Sequence, residues 1–236
     1  MAEKMNTTVN QNERARQIWV EKILSGLPAG IKILDAGAGE QQYKKYCKHL
    51  NYTSQDFGNY KPEELDNGLQ MEKWDYGKLD IISDITKIPV DDASFDAILC
   101  TEVFEHIPDP IAAIAEFSRI LKPNGTLIVT APFCSMTHFA PYHFYSGFNK
   151  YFFETIYPKH GFQVVEMSSN GNYFDYMLQE TARLPHLMQE VAPGSLSRFQ
   201  KWMISKVSSL CSKYASKPNN TSELMCFGWH VVARKN

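Results

Sequence analysis

The chain of 236 residues has few cysteines, and their spacing forms no familiar site. None belongs to a CxxC pair, and the five are Cys47, Cys100, Cys134, Cys211 and Cys226. An odd, scattered set is typical of a reducing compartment, where a free cysteine behaves as a small hydrophobic residue. The cysteines therefore indicate neither a disulfide scaffold nor a common zinc motif.

The sequence also lacks a strong charge of one sign and any long hydrophobic run. A formal net charge of -2 gives no general attraction to nucleic acid, so no nucleic-acid partner is expected. No apolar run is long enough to cross a bilayer, and the N-terminus shows no apolar signal segment. We expect a cytoplasmic protein. With 44% hydrophobic residues, the chain can still bury a sizeable core.

The first half alternates short apolar runs with segments of helical spacing. The predicted strands are 31–34, 52–56, 79–83, 95–100 and 126–130, and the predicted helices are 18–26, 41–50 and 110–121. Such alternation predicts an α/β fold with a mostly parallel sheet and helices on both faces. Residues 58–78 are polar and predict a loop with one short helix.

The second half is less regular. A helix is expected over 151–157, and strands over 162–167 and 227–233, the last of them added antiparallel. We expect 174–220 to be mainly helical, with breaks at Pro185 and at Pro193-Gly194. The whole chain, 1–236, then forms a single domain. It carries an N-terminal helical extension (1–28) and a helical insertion (174–220) that serves as a lid or an interface.

The sharpest local motif is Asp35-Ala-Gly37-Ala-Gly39, which follows a buried strand. A glycine turn between a strand and a helix lets the backbone approach a ligand closely. A dinucleotide fingerprint requires a third glycine, and Gln42 occupies its position. The pattern therefore disfavours a nicotinamide oxidoreductase, while a tight turn that binds no ligand stays an alternative.

Further motifs follow this turn in a fixed order. They are Asp56 about 20 residues later, Asp84-Ile85 to Pro89, Ser94-Phe95-Asp96, Thr101-Glu102 to His106, and Arg119 to Gly125. Together they resemble the class I S-adenosylmethionine-dependent methyltransferases, in the broad group that methylates small molecules. The likeness is strong over about 30–135. It implies a Rossmann-like, doubly wound sheet of seven strands, with S-adenosyl-L-methionine as the cofactor.

The resemblance also assigns residues near the reacting end of the cofactor. It implies that Asp35, Gly37 and Gly39 line the methionine part. Thr101 and Glu102, at the end of the fourth strand, would lie beneath the cofactor near the reacting face.

On the nucleoside side, the resemblance implies that Asp56 binds the ribose hydroxyls and that Phe57 lies beside the adenine. Asp84 would accept a hydrogen bond from the adenine amino group, and the Ile85 N–H would face the ring. One departure is Asn124, where the family often has glycine. This is a turn position, so we expect no change in the chemistry.

Residues 131–148 follow the fifth strand and crowd His138, Tyr142, His143 and Tyr145 into one segment. Ligands of doubly wound sheets bind outside the carboxyl ends of the strands, so this loop is placed at the acceptor side. His138 and His143 are candidate general bases, because imidazole titrates near neutral pH. Packing of the loop is the equal alternative. No metal site is expected, because carboxylates at ligand spacing are absent from this segment.

His106 is a third candidate base, although a role in fixing its loop is favoured. The helical stretch within 174–220 carries lysines beside an apolar stripe, and a lid or docking face is favoured there over membrane contact.

The resulting hypothesis is methyl transfer to a small-molecule or glycan-like acceptor, at a hydroxyl. The rivals are a catalytically silent cofactor-binding protein, an oxidoreductase and a nucleic-acid methyltransferase. Neither the acceptor nor the oligomeric state can be read from the sequence.

Overall fold

The computed structural model describes residues 11–62, 73–192, 194 and 196–236. The chain clusters into two compact units. One unit comprises Ser169–Phe227 and the N-terminal residues up to Gln17, and the other comprises Ile18–Ser168 with Gly228–Asn236. The single domain over 1–236, the extension over 1–28 and the role of the insertion over 174–220 stay predictions.

Seven strands form one sheet in the order β3-β2-β1-β4-β5-β7-β6. The strands are β1 (Lys32–Ala36), β2 (Asn51–Asp56), β3 (Ile81–Ile82), β4 (Phe95–Thr101), β5 (Leu121–Pro132), β6 (Phe162–Asn170) and β7 (Gly228–Lys235). The helices are α1 (Gln11–Ser25), α2 (Pro110–Ile120), α3 (Lys150–Lys159), α4 (Tyr173–Val191) and α5 (Arg198–Ala215). The predicted Rossmann-like sheet is confirmed.

Strands β1 to β5 run parallel, and β7 pairs antiparallel with β5 from Thr126↔Arg234 to Pro132↔Gly228. The antiparallel addition expected for the last strand is therefore confirmed. The strand order reverses between β1 and β4. In such sheets the crevice at the carboxyl ends of these two strands is where ligands bind.

The central strands are buried without alternation, as expected of parallel strands covered on both faces. On one face, Val20 and Leu24 of α1 cluster with Ile33, Leu99 and Ile128. Because successive side chains of a strand alternate, Cys100 faces the other way from Leu99. Tyr157 of α3 is also fully buried, and burial and then an electrostatic interaction with Cys100 raise the pKa of its phenol. Helices thus cover both faces.

The helix predicted over 41–50 is wrong, since the structure has only a short 3-10 turn at Lys44–Tyr46. Gln41 adopts a positive φ of 57°, which interrupts helical geometry. Its side-chain amide donates to the carbonyls of Tyr76 and Lys78 instead. The segment is therefore fixed by contacts that are distant in sequence, which its own periodicity does not reveal.

Other expected boundaries also differ. The strand predicted over 79–83 is shortened to Ile81–Ile82, and α4 continues through Pro185. A proline removes one backbone hydrogen bond from a helix, but here a capping box at Asn172 secures the helix start. Pro193 of the predicted Pro193-Gly194 break lies outside the described residues, as do residues 63–72 of the loop expected over 58–78.

Within the smaller unit, α4 and α5 pack together as a helical pair. Tyr214 stacks on Phe174 at 5.5 Å between ring centroids, and Asn172 donates to the Ala215 carbonyl. The region expected to be helical over 174–220 is therefore mainly helical. Among the described residues, no helix is both long and apolar enough to traverse a membrane.

Candidate active site

The carboxyl ends of β1, β2 and β4 bring several predicted residues to one edge of the sheet. Asp35 is the second-last residue of β1, Asp56 ends β2, and Thr101 ends β4. Their strands are neighbours in the order β2-β1-β4. This edge therefore collects the acids that the sequence marks, beside the switch point of the sheet.

The turn after β1 depends on its two glycines. Gly37 and Gly39 have φ of 72° and 50°, in the left-handed region that favours glycine. A Cβ on Gly37 would lie 2.5 Å from Cγ2 of Val103, and one on Gly39 would lie 2.9 Å from Cζ2 of Trp74. Glycine is thus required here by the backbone and by the neighbouring side chains.

Asp35 is a buried carboxyl group with an unusual charge state. Burial, and then the charge of Asp56, raise its pKa to about 7, although the Tyr52 hydroxyl donates to Oδ2 at 2.7 Å and opposes the shift. Because this pKa lies near neutral pH, a nearby charge alters the fraction of Asp35 that is ionised. The carboxylate form of Asp35 would therefore be favoured by a positively charged ligand.

Asp56 holds the glycine turn against β2. Its Oδ2 accepts from the Gly39 N–H at 2.9 Å and its Oδ1 accepts from the Gly58 N–H at 3.1 Å. Burial raises its pKa, while these backbone donors oppose the shift. Each carboxylate oxygen has a second lone pair, so Asp56 keeps capacity to accept from hydroxyl donors.

The residues after β4 are held in an uncommon conformation. Glu102 has a positive φ of 53°, its N–H donates to the Thr130 carbonyl, and its Oε1 accepts from the Thr130 hydroxyl at 2.9 Å. Non-glycine residues in this region are strained and cluster at functional sites. The strain marks the end of β4, where Thr101 and Glu102 are expected to lie under a cofactor.

Asp84 and Ile85 lie in the turn after β3. The Asp84 Oδ1 accepts from the backbone N–H and the hydroxyl of Thr86 at 2.8 and 2.7 Å, while the Ile85 side chain is buried. This turn shapes the segment that leads to Val90. The adenine contacts expected of Asp84 and of the Ile85 N–H stay predictions.

Arg119 holds the segment that leads to Val90 in place. The sequence motif alone does not reveal this role. Its guanidinium donates to the carbonyls of Val90 and Ile88, and it pairs with Glu116 and Asp92. Glu116 in turn accepts from the Ile88 N–H at 2.7 Å. The arginine of the motif thus holds this loop in position.

An aromatic cluster lies beside the glycine turn, and sequence reasoning missed it. Phe139 packs on Tyr60 and Trp74, with ring centroids 4.4 and 5.1 Å apart. Trp74 is the side chain that a Cβ on Gly39 would meet. Phe57 makes a separate edge contact with Tyr142, at 5.0 Å between centroids. These rings connect the turn with the loop after β5.

The three candidate bases come together, although His106 is distant in sequence from the other two. His138 lies 4.6 Å from His106 and 4.8 Å from His143 between ring centroids. Phe139 contacts His106 at 5.1 Å, so the cluster adjoins the aromatic rings beside the glycine turn. We refer to His106, His138 and His143 as the histidine cluster.

Backbone carbonyls orient two of these rings. Nδ1 of His106 lies 2.6 Å from the Tyr142 oxygen, and Nδ1 of His138 lies 2.8 Å from the Met136 oxygen. Because a carbonyl only accepts, both Nδ1 atoms carry protons and each neutral ring has its lone pair on Nε2. Burial, and then His138, lower the pKa of His106 to about 3 and also lower that of His143.

A cavity of about 590 Å³ lies elsewhere, at the amino ends of the strands, where Lys32, Asn51 and Phe95 line it. Each of these is the first residue of its strand. Doubly wound sheets bind ligands at the opposite, carboxyl edge, so the acids and histidines mark the site better than this cavity does.

Residues 34–129 match the family described as "Methyltransferase domain". The ubiquinone biosynthesis O-methyltransferase of Xanthomonas axonopodis pv. citri is 32% identical over 113 residues, 44% of this chain and 44% of that protein. Cycloartenol-C-24-methyltransferase 1 of Oryza sativa subsp. japonica is 28% identical over 119 residues, 49% of this chain and 34% of that protein. The chain thus matches less than half the length of these curated relatives.

A solved structure extends the likeness to nearly the whole chain. Phosphoethanolamine N-methyltransferase 2 of Haemonchus contortus, in complex with S-adenosyl-L-methionine, gives a TM-score of 0.51 at 18% identity. The alignment covers 96% of this chain and 52% of that one. At this identity the comparison establishes the fold.

Proposed function

We propose that the chain is a class I S-adenosylmethionine-dependent methyltransferase that methylates a hydroxyl of a small-molecule or glycan-like acceptor, in keeping with the match of residues 34–129 to the family described as "Methyltransferase domain". The observation that carries the choice of a hydroxyl is the histidine cluster at the acceptor side of the carboxyl edge. Imidazole is the side chain best suited to accept a hydroxyl proton near neutral pH. The name of the Xanthomonas relative, an O-methyltransferase, supports the same choice.

The residues at the carboxyl edge fit the cofactor by their chemistry. S-adenosylmethionine carries a sulfonium and an ammonium group, and its ribose hydroxyls are hydrogen-bond donors. The edge offers carboxylates that accept hydrogen bonds and attract cations, on Asp35, Asp56 and Glu102. Gly37 and Gly39 have no Cβ, so the backbone of this turn leaves room for a ligand to approach closely.

The roles proposed for these residues follow from that fit. Asp35 and the glycine turn hold the methionine part, and Asp56 holds the ribose with Phe57 beside the adenine. Asp84 and the Ile85 N–H hold the adenine edge, while Thr101 and Glu102 lie below the reacting end.

When bound, S-adenosylmethionine supplies a methyl carbon that leaves the sulfonium sulfur for the acceptor oxygen, while the hydroxyl proton leaves that oxygen. The protein's part is to hold acceptor and cofactor in line, so that proximity lowers the barrier to transfer. One imidazole of the histidine cluster accepts the hydroxyl hydrogen bond and receives the proton. His106 is the weakest candidate, because its pKa of about 3 makes it a poor base near pH 7.

The test is incubation of the protein with methyl-labelled S-adenosylmethionine and the small-molecule fraction of a cell extract, followed by identification of labelled products. We expect one labelled methyl ether, formed more slowly by His143→Ala than by His186→Ala. His186 is exposed on α4 and serves as the matched control. Label on nitrogen or carbon would overturn the hydroxyl assignment. Cofactor binding without any labelled product would favour a silent binding protein.

A further inference from the structure

We propose that His106, His138 and His143 form a binding site for a divalent transition-metal ion of the zinc type. Each residue offers one ring nitrogen, and these three nitrogens all lie within 4.8 Å of one another. No metal site was expected from the sequence, because carboxylates at ligand spacing are absent from the loop. The structure supplies the missing ligand from the turn after β4, where His106 ends a short 3-10 helix.

The ligand type indicates which ions suit the site. Neutral imidazole binds zinc, copper, iron and nickel, whereas magnesium and calcium prefer oxygen ligands. Zinc–nitrogen bonds of about 2.0–2.1 Å in a tetrahedral site bring ligand nitrogens to roughly 3.4 Å from each other. The nitrogens must therefore approach by at most about 1.4 Å from separations of up to 4.8 Å, which side-chain rotation allows.

Two of the rings are already oriented as metal ligands usually are. Ligating histidines almost always donate their second ring N–H to a carbonyl or a carboxylate, which fixes the tautomer and the direction of the lone pair. Here Nδ1 of His106 donates to the Tyr142 carbonyl, and Nδ1 of His138 donates to the Met136 carbonyl. For His143, the Nδ1 atom is buried and has no hydrogen-bond partner within the described part of the chain.

The surrounding charge also favours a cation. The buried Glu105 places Oε1 3.6 Å from Nε2 of His106, so a carboxylate stands beside the ligand atom. A divalent ion between the three rings would favour the ionised form of this acid, while the neutral rings add no repulsion. Glu105 would then supply the negative charge that the three histidines lack.

Three protein ligands leave one coordination position for an exchangeable ligand, the arrangement of catalytic zinc sites. The role of the site rests on the proposed function, although its existence does not. An oxygen acceptor that takes the fourth position would lose its proton to water more readily, because a bound divalent ion lowers the pKa of a coordinated oxygen. The ion would then replace the imidazoles as the activating group, and the acceptor class would be hydroxyl compounds that can coordinate a metal.

The test uses the full chain, freed of metal by a chelator and dialysed, without cofactor or acceptor. Calorimetry with zinc chloride measures stoichiometry and affinity, and cobalt chloride reports geometry through the visible absorption of four-coordinate Co²⁺. We expect one ion per chain. Removal of a direct ligand should weaken metal affinity by more than the roughly tenfold to hundredfold lost when a hydrogen-bond partner of a ligand is removed. His138→Ala and His143→Ala should therefore each weaken zinc binding by more than about a hundredfold, and His186→Ala should not.

Zinc binding that is no tighter in wild type than in His143→Ala would overturn the site, as would the absence of one bound ion per chain. If the alanine variants fail to fold, X-ray absorption of zinc-loaded wild type decides, since the site requires three nitrogen ligands at about 2.0 Å. Because no cofactor is present, a failed metal titration leaves the proposed methyl transfer standing. Conversely, metal binding survives if the labelling experiment fails.

Discussion

Single carboxyl groups at the strand ends carry most of the expected ligand contacts, and Asp35 is the one whose ionisation is most altered. The pKa of Asp35 is raised to about 7 in the fold, against about 3.9 for an unfolded aspartate. The folded chain therefore retains a proton that the unfolded chain loses. Its contribution to the free energy of unfolding is complete below about pH 4 and is lost as the pH rises through about 7.

Replacement of Asp35 by asparagine should remove this pH dependence. An asparagine oxygen can still accept from the Tyr52 hydroxyl, and its side chain stays neutral. Between pH 5 and pH 8, the stability of Asp35→Asn should improve relative to wild type by on the order of 3 kcal/mol. Melting temperatures of both proteins across this range measure the effect. Parallel pH profiles would show that Asp35 ionises normally.

Asp56 combines a structural contact with a proposed ligand contact. Asp56→Ala removes the acceptor for the Gly39 N–H and the proposed acceptor for two ribose hydroxyls. We expect binding of S-adenosylmethionine to weaken by about 1.5–3 kcal/mol, the scale of hydrogen bonds to a charged group. Calorimetry measures this, and Asp92→Ala, which removes an exposed carboxylate, is the control. Unchanged affinity in a folded Asp56→Ala protein would remove Asp56 from the ribose site.

The glycine turn permits a comparison that separates backbone strain from steric conflict. Gly37 and Gly30 have similar φ values of 72° and 81°, but a Cβ on Gly30 meets nothing within 4 Å. Gly30→Ala should therefore lose about 1–2 kcal/mol from the left-handed backbone alone. Gly37→Ala should lose more, because its Cβ collides with Val103. Denaturant unfolding measures both, and equal losses would show that Val103 moves aside freely.

At the scale of elements, α2 is linked to the segment after β3 through Arg119. Arg119→Lys keeps the charge but loses the planar guanidinium group that donates hydrogen bonds to Glu116, Ile88 and Val90 at the same time. We expect a loss of about 1–3 kcal/mol in the free energy of unfolding. The control, Asp92→Ala, removes only an ion pair with a highly exposed carboxylate and should cost less than about 1 kcal/mol. Equal losses would mean that the loop contacts contribute nothing.

The elements also show which sequence patterns are informative. Strands β1, β4 and β5 were predictable because parallel strands buried on both faces appear as short continuous apolar runs. The segment over 41–50 was not, because its conformation depends on Gln41 bonding to carbonyls 35 and 37 residues away. Pro185 was predicted to break the helix, but capping and packing on α5 maintain α4 across it.

Over the whole molecule, the chain order of the motifs predicted which residues meet at the carboxyl edge, because strand ends in a parallel sheet converge there. The order of the motifs could not predict the contacts between loops. The Trp74–Phe139 pair and the approach of His106 to His138 join residues far apart in sequence with no shared periodicity. The histidines could be assigned to the acceptor side as separate candidates, but their mutual distances required the structure.

The central claim is that this carboxyl edge binds S-adenosylmethionine, and calorimetry with that cofactor and with NAD tests it most directly. The carboxylates suit a sulfonium and an ammonium group, while the turn lacks the third glycine of a dinucleotide site at Gln42. We predict saturable binding of S-adenosylmethionine, or of its demethylated product, and no comparable heat from NAD. Tight binding of NAD with no response to S-adenosylmethionine would contradict the account.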